Sequence, residues 1–148
     1  MRKRMSLSGI AFVVVALLVA GCGSASEPGD VAVSDSGFTK NADGYANITV
    51  DQLADMMPDK DFALVNVHIP YQGEIPETDL FIPFDEIAEN VDQLPDKDAP
   101  IVLYCRSGSM STTAAEALAD LGYANVLEVD GGFNAWKEAG NQLLDEGR

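Results

Sequence analysis

The stretch IVLYCRSGSMSTTAAEALADLG, Ile101–Gly122, contains the strongest structural signals in the chain. Its four leading apolar residues, Ile101 to Tyr104, predict a buried β-strand. Cys105 follows directly, and a short Gly/Ser-rich loop leads to a helical pattern over Ser111 to Leu121, with Gly122 suited to end the helix. The chain therefore places a thiol between the end of a strand and the start of a helix.

Strand and helix signals alternate on both sides of this stretch. Thr49 and Gln52 resemble a capping box at the start of a short helix, and a second helix is predicted around Asp85 to Val91. A last helix is predicted in GGFNAWKEAG. Strands are predicted in YANIT, FALVNV, LFIP and NVLEV. The alternation favours one α/β domain whose parallel sheet is covered by helices on both faces.

The thiol lies where ligands bind in open α/β sheets, at the carboxyl end of a central strand. Backbone N–H groups of the loop and of the first helical turn lack intrahelical acceptors, so they can converge on an anion. This position should lower the pKa of Cys105 and make it nucleophilic. Gly108 allows a tight loop, Ser107 and Ser109 offer hydroxyls, and Arg106 adds a cation. The alternative is a buried, unreactive core cysteine.

The segments YCRSGSMS and VDGGFNAWKEAG resemble the active-site loop and closing motif of a rhodanese domain, and the resemblance extends over about Ile48 to Gly140. It implies an α/β fold with a five-stranded parallel sheet. It also implies that Cys105 accepts sulfane sulfur as a persulfide and passes it to cyanide, a thiol or a protein acceptor. We assign no cofactor and no metal. By the same resemblance, the main chain that binds the substrate sulfur belongs to Arg106, Ser107, Gly108, Ser109, Met110 and Ser111.

Protein-tyrosine phosphatases also place a thiolate in an amide-lined loop before a helix. Their loop needs an arginine at the sixth position after the cysteine to clamp phosphate. Here that position is Ser111, and the arginine of the loop, Arg106, is adjacent to the thiol. Phosphatase and arsenate reductase chemistry are therefore disfavoured.

Several positions depart from the rhodanese pattern. Asn66 and His68 stand where the family favours an Asp and an Arg, so that ion pair is missing. For His68 a hydrogen-bonded structural role is favoured over general acid/base catalysis. Met110 stands where many thiosulfate-using relatives carry a basic or hydroxyl residue, so the sequence leaves open whether thiosulfate is used efficiently. These departures leave a second hypothesis open, a non-catalytic binding module or one that senses oxidants through Cys105.

The N-terminal segment, Met1 to Cys22, has the pattern of a targeting signal. Arg2, Lys3 and Arg4 precede a short apolar run, and VAGC resembles the lipobox of bacterial lipoproteins. We expect cleavage before Cys22 and lipidation of its thiol, which leaves Cys105 unpaired. An ordinary secretory signal or an uncleaved anchor is the alternative. The predicted organisation is a signal peptide (1–21), a lipidated flexible tether (22–43) and a rhodanese-like domain (44–148), lipid-anchored on the extracytoplasmic side of a membrane.

The negative net charge of the chain excludes polyanionic partners. The formal net charge is −15, and loss of the signal segment would leave six basic residues against 24 acidic ones. So negative a surface repels nucleic acid and anionic lipid headgroups. The predicted partners are a small sulfur donor and its acceptor, with the membrane contacted only through the lipid on Cys22.

Overall fold

The computed structural model describes residues 37–145. These residues form a five-stranded, entirely parallel sheet with the strand order β1-β5-β4-β2-β3. The strands are β1 (Ala46–Ile48), β2 (Ala63–Asn66), β3 (Leu80–Phe81), β4 (Ile101–Tyr104) and β5 (Val126–Val129). The α-helices are α1 (Val50–Met56), α2 (Ser109–Asp120) and α3 (Gly132–Glu138). Short 3-10 helices span Met57–Asp59, Ile87–Glu89 and Val91–Gln93.

The sheet separates two apolar clusters, which confirms the prediction of helices on both faces. Strand β4 is buried throughout, and its side chains alternate between the faces. Ile101 and Leu103 point to the face covered by α2, and so does Cys105, directly beyond the strand. Val102 and Tyr104 point to the face covered by α1 and α3.

The helix ends follow local sequence signals. The Thr49 hydroxyl accepts from the Gln52 amide at 3.2 Å and the Gln52 side chain accepts from the Thr49 amide at 2.8 Å, so the predicted capping box is present at α1. Helix α2 begins at Ser109, two residues before the predicted start, and Gly122 follows its C-terminal end with a φ of +86°. The last helix lies within the predicted segment.

The prediction of a helix around Asp85 to Val91 is wrong, because the structure has short 3-10 helices there instead. The Asn90 side-chain amide donates to the Glu86 carbonyl oxygen at 2.8 Å. In a continuing α-helix that oxygen would accept the backbone N–H four residues later. The side chain of Asn90 thus competes with the helical hydrogen bond and favours separate short turns.

The expected signal peptide, Cys22 and most of the expected tether lie outside the described residues. Between residues 37 and 145, no helix has the length and apolarity needed to cross a membrane.

Candidate active site

Cys105 sits at the carboxyl end of the central strand β4, on the α2 face of the sheet. It is 1% exposed and packs among apolar side chains, as the unreactive alternative would require. Its sulfur nevertheless meets polar donors on the loop side. The Gly108 amide donates to Sγ at 3.1 Å, and the Ser111 hydroxyl lies 3.4 Å from the same atom.

The loop reaches this shape through Gly108. Its φ of +104° lies in a region that side chains other than glycine rarely adopt, and it turns the chain directly into α2. The Gly108 carbonyl then accepts from the Thr112 amide at 2.8 Å, an early helical hydrogen bond of α2. The free amides of the first turn therefore lie beside the sulfur.

Burial and hydrogen bonding have opposite effects on the pKa of the Cys105 thiol. Burial raises the pKa of Cys105, but hydrogen bonds from the Ser111 side chain and from the backbone amides of Ser111, Ser107 and Gly108 lower it. The donors together outweigh burial, so the net pKa lies below that of an ordinary thiol. This is the direction that the position of the cysteine in the sequence predicts.

The six residues predicted to bind substrate occupy different environments. Arg106, Ser107 and Ser109 are exposed, and Ser111 is buried with its hydroxyl beneath the loop. Met110 is half-buried, and its side chain packs against the apolar cluster on the α2 face. The structure thus brings Ser107, Gly108 and Ser111 to the sulfur. The roles of all six residues in binding substrate stay predictions.

The first residues of α3 donate hydrogen bonds to the backbone of the cysteine loop. The Phe133 amide donates to the Cys105 carbonyl at 2.9 Å and the Asn134 amide donates to the Arg106 carbonyl at 3.0 Å. A Cβ on Gly132, whose φ is +53°, would stand only 2.1 Å from the Cys105 carbonyl oxygen. Sequence reasoning noted the Gly-Gly pair as part of a motif but missed this contact.

A buried carboxyl group, Glu128 of β5, lies beneath the loop. It is 1% exposed, and its Oε1 is 2.5 Å from the Ser111 hydroxyl oxygen. The Asn47 side chain donates to its Oε2 at 2.9 Å. Burial raises the pKa of Glu128, the Ser111 and Asn47 hydrogen bonds lower it, and the nearby charge of Asp130 raises it further, with an upward net shift. Sequence reasoning missed Glu128 because one acidic residue in NVLEV gives no sign of burial.

Asn66 and His68 stand where the family favours an Asp–Arg ion pair. Here they make hydrogen bonds and an aromatic ring contact instead. The Asn66 side chain donates to the Gly73 carbonyl at 3.1 Å and accepts from the His68 amide at 3.0 Å, which ties the following segment to β2. The His68 ring meets Phe133 edge to face, with centroids 5.4 Å apart. Within the described part of the chain both its ring nitrogens are buried and neither makes a hydrogen bond of ordinary geometry, although the Gln72 side chain interacts with the ring. The expected hydrogen-bonded structural role of His68 stays a prediction.

The charge state of His68 follows from its surroundings. Burial lowers its pKa, the Gln72 side chain opposes this effect, and the positive charge of Arg106 lowers the pKa further. The net shift is downward, so the ring is neutral at neutral pH.

The chain belongs to the rhodanese-like domain family, whose model matches residues 43–139. A sulfurtransferase of Allochromatium vinosum is 36% identical over 88 residues, which cover 57% of this chain and 80% of that protein. The thiosulfate sulfurtransferase GlpE of Pseudoalteromonas translucida is 28% identical over 104 residues, covering 68% of this chain and 97% of that one.

Solved structures agree with the fold. The crystal structure of a rhodanese-related protein from Thermoplasma volcanium has a TM-score of 0.59 and 27% sequence identity, covering 68% of this chain and 98% of the other. The predicted rhodanese-like fold with its five-stranded parallel sheet is confirmed. The named relatives support a sulfurtransferase role in general.

Proposed function

We propose that this chain is a membrane-tethered, extracytoplasmic sulfurtransferase that carries sulfane sulfur as a persulfide on Cys105. The observation that supports this most strongly is the Gly108 N–H directed at Sγ from 3.1 Å. That donor belongs to a loop at a strand end and a helix start, where an anionic sulfur is stabilised.

The proposed reaction has two displacements. The Cys105 thiolate attacks the outer sulfur of a donor, a sulfur–sulfur bond forms at Sγ, and the donor's remaining group leaves with the electron pair of the broken bond. A thiolate or cyanide then attacks the outer sulfur of the persulfide, and Cys105 departs as the thiolate. Charge stays on sulfur throughout, so the same amides of Ser107, Gly108 and Ser111 stabilise each stage.

Phosphate chemistry fits this site less well. The residue at the arginine position of phosphatases is Ser111, which carries no charge and lies 2.5 Å from the Glu128 carboxyl group. Without a cation at that position a phosphate dianion lacks the bidentate partner that phosphatases supply, whereas a persulfide carries one charge at most. Since Met110 packs inward, it adds no cation for dianionic thiosulfate either. Polysulfides or 3-mercaptopyruvate are therefore tested beside thiosulfate.

The sulfur-transfer test uses the purified full chain and its mass. Incubation with thiosulfate, polysulfide or 3-mercaptopyruvate should add the mass of one sulfur atom to the peptide that contains Cys105. The adduct should disappear on addition of cyanide or a thiol, and Cys105→Ser should not form it. Thr113→Ala is a matched control, because it removes an exposed hydroxyl of α2 that lies outside the six predicted binding residues.

The alternative is a non-catalytic module, favoured by the burial of Cys105 at 1% exposure. Absence of the sulfur adduct with all three donors, together with ordinary thiol reactivity, would contradict the proposed transfer and support the module.

The location is tested separately. Lipid anchoring through Cys22 is supported by the basic residues, apolar run and VAGC of the N-terminal segment. In bacterial cells the chain should partition with membranes and carry a lipid mass that Cys22→Ala abolishes, with processing blocked by globomycin. An unlipidated, soluble wild-type product would refute the tether without affecting the sulfur chemistry.

A further inference from the structure

The buried thiol of Cys105 has a hydrogen-bonded connection to a buried acid. The Ser111 hydroxyl oxygen lies 3.4 Å from Sγ of Cys105 and 2.5 Å from Oε1 of Glu128. Cys105 and Glu128 are each 1% exposed. In the sheet register Glu128 pairs with Leu103, two residues before the cysteine, so both side chains lie on the α2 face.

The Ser111 hydroxyl has one proton and three acceptors around it, because the Gly108 carbonyl also lies 2.9 Å away. When Glu128 is ionised, its carboxylate attracts that proton, and the sulfur loses a donor. When Glu128 is protonated, the carboxyl group can donate to Ser111, and Ser111 can donate to the sulfur. The charge on Glu128 therefore decides whether Ser111 stabilises the thiolate.

We propose that Glu128 is a positioning residue that takes up the thiol proton of Cys105 through Ser111 and holds it while the sulfur is anionic. The S–H proton passes to the Ser111 oxygen as the Ser111 proton passes to Oε1 of Glu128. One S–H bond breaks, one carboxyl O–H bond forms, and the negative charge moves from Glu128 to sulfur. The proposal rests on the proposed function, since it supplies the thiolate that attacks the donor.

On the far side of Glu128, an amide donor lies between the acid and the surface. Asn47, which is exposed, donates to Oε2 of Glu128 at 2.9 Å and to Oδ1 of the exposed Asp130 at 3.0 Å. The titratable groups facing Glu128 are thus Cys105, across the Ser111 hydroxyl, and Asp130 at the end of β5. Asp130 is an anion, so its charge favours the protonated form of Glu128. The Asn47 amide nitrogen only donates, so it holds Oε2 of Glu128 in place and carries no proton to the surface.

The coupling between Cys105 and Glu128 is the shift that the charge of each group causes in the pKa of the other. The two hydrogen-bond lengths place Sγ of Cys105 and Oε1 of Glu128 within about 6 Å of each other. Two charges at that separation and an effective dielectric constant of about 20 change each other's pKa by about 2. Coupling of equilibria is reciprocal, so the shift on Cys105 and the shift on Glu128 must be equal.

The experiment measures both directions in the full chain. The alkylation rate of Cys105 by iodoacetamide, followed on its peptide against pH, should give a thiol pKa lower by about 1 to 2 in Glu128→Gln than in the wild type. Carbon-13 NMR of the wild type should show the carboxyl resonance of Glu128 responding to the ionisation of Cys105, and this response should be absent in Cys105→Ser. If Glu128→Gln does not fold, the NMR titration carries the test alone.

Ser111→Ala separates the relay from simple charge repulsion. In this background the through-space effect of the Glu128 charge remains and the part carried by the Ser111 hydroxyl is lost, so Glu128→Gln should lower the pKa of Cys105 by less than in the native background. An undiminished effect, or no effect of Glu128→Gln in the native background, overturns the proposal. Each readout is independent of sulfur transfer. A coupled pair without a persulfide would refute the proposed function alone.

Discussion

Replacing Gly132 by alanine tests how the cysteine loop is held. The new Cβ would stand 2.1 Å from the Cys105 carbonyl oxygen and 2.9 Å from the Arg106 carbonyl carbon, both of them backbone atoms that cannot turn away. The left-handed backbone costs about 1 to 2 kcal/mol for a residue with a Cβ. Overpacking adds about 1 to 3 kcal/mol, so Gly132→Ala should destabilise by about 2 to 5 kcal/mol.

Gly140→Ala is the matched control. Gly140 also has a positive φ, +88°, but a Cβ there would meet no heavy atom within 4 Å. Its cost should be the backbone cost alone, about 1 to 2 kcal/mol. Urea unfolding measures both free energies, and alkylation of Cys105 reports on the loop. Equal destabilisation by the two variants, with unchanged cysteine reactivity in Gly132→Ala, would show that the close contact at Gly132 does not hold the cysteine loop.

Three further predictions concern stability. Asn66→Ala leaves the buried Gly73 carbonyl without this donor, and its thermal unfolding should show a loss of about 1 to 3 kcal/mol; no loss would contradict that role. Lys60→Met breaks the partly exposed 2.6 Å ion pair with Asp79 and should change the urea unfolding free energy by less than about 1 kcal/mol, a larger loss being the contrary result. The raised pKa of Glu128 in the folded state stabilises the fold fully at low pH, and this contribution is lost as pH rises through that pKa. Urea unfolding should therefore show Glu128→Gln gaining stability relative to wild type as pH rises, and a pH-independent difference would contradict it.

The sequence predicts the elements whose signals are local. The apolar run at Ile101 to Tyr104 is a buried strand, and the Thr49 and Gln52 pair caps a helix as expected. The order of strands and helices was sufficient for a parallel sheet with two covered faces. Local signals failed at Asp85 to Val91, where one Asn side chain takes the carbonyl that a helix needs.

The site is less predictable, because its supports come from distant parts of the chain. Loop composition located Cys105 and the donors Ser107 and Gly108, all of which are neighbours in sequence. Glu128 reaches the loop only because β5 pairs with β4, and its burial depends on that tertiary contact. Gly132 shows its role only when α3 is placed against the cysteine backbone. Contacts between residues that are far apart in the chain leave no periodic pattern in a single sequence.

The stabilised thiolate of Cys105 is the basis of the proposed chemistry, and the titration of this thiol is its critical test. The rate of alkylation of the Cys105 peptide in the wild-type chain should rise with a midpoint below the ordinary pKa of a thiol, despite 1% exposure of the side chain. Ser111→Ala should raise that midpoint, because it removes the side-chain donor. A midpoint at or above the ordinary value in the wild type would mean that burial outweighs the loop donors, and the account would be contradicted.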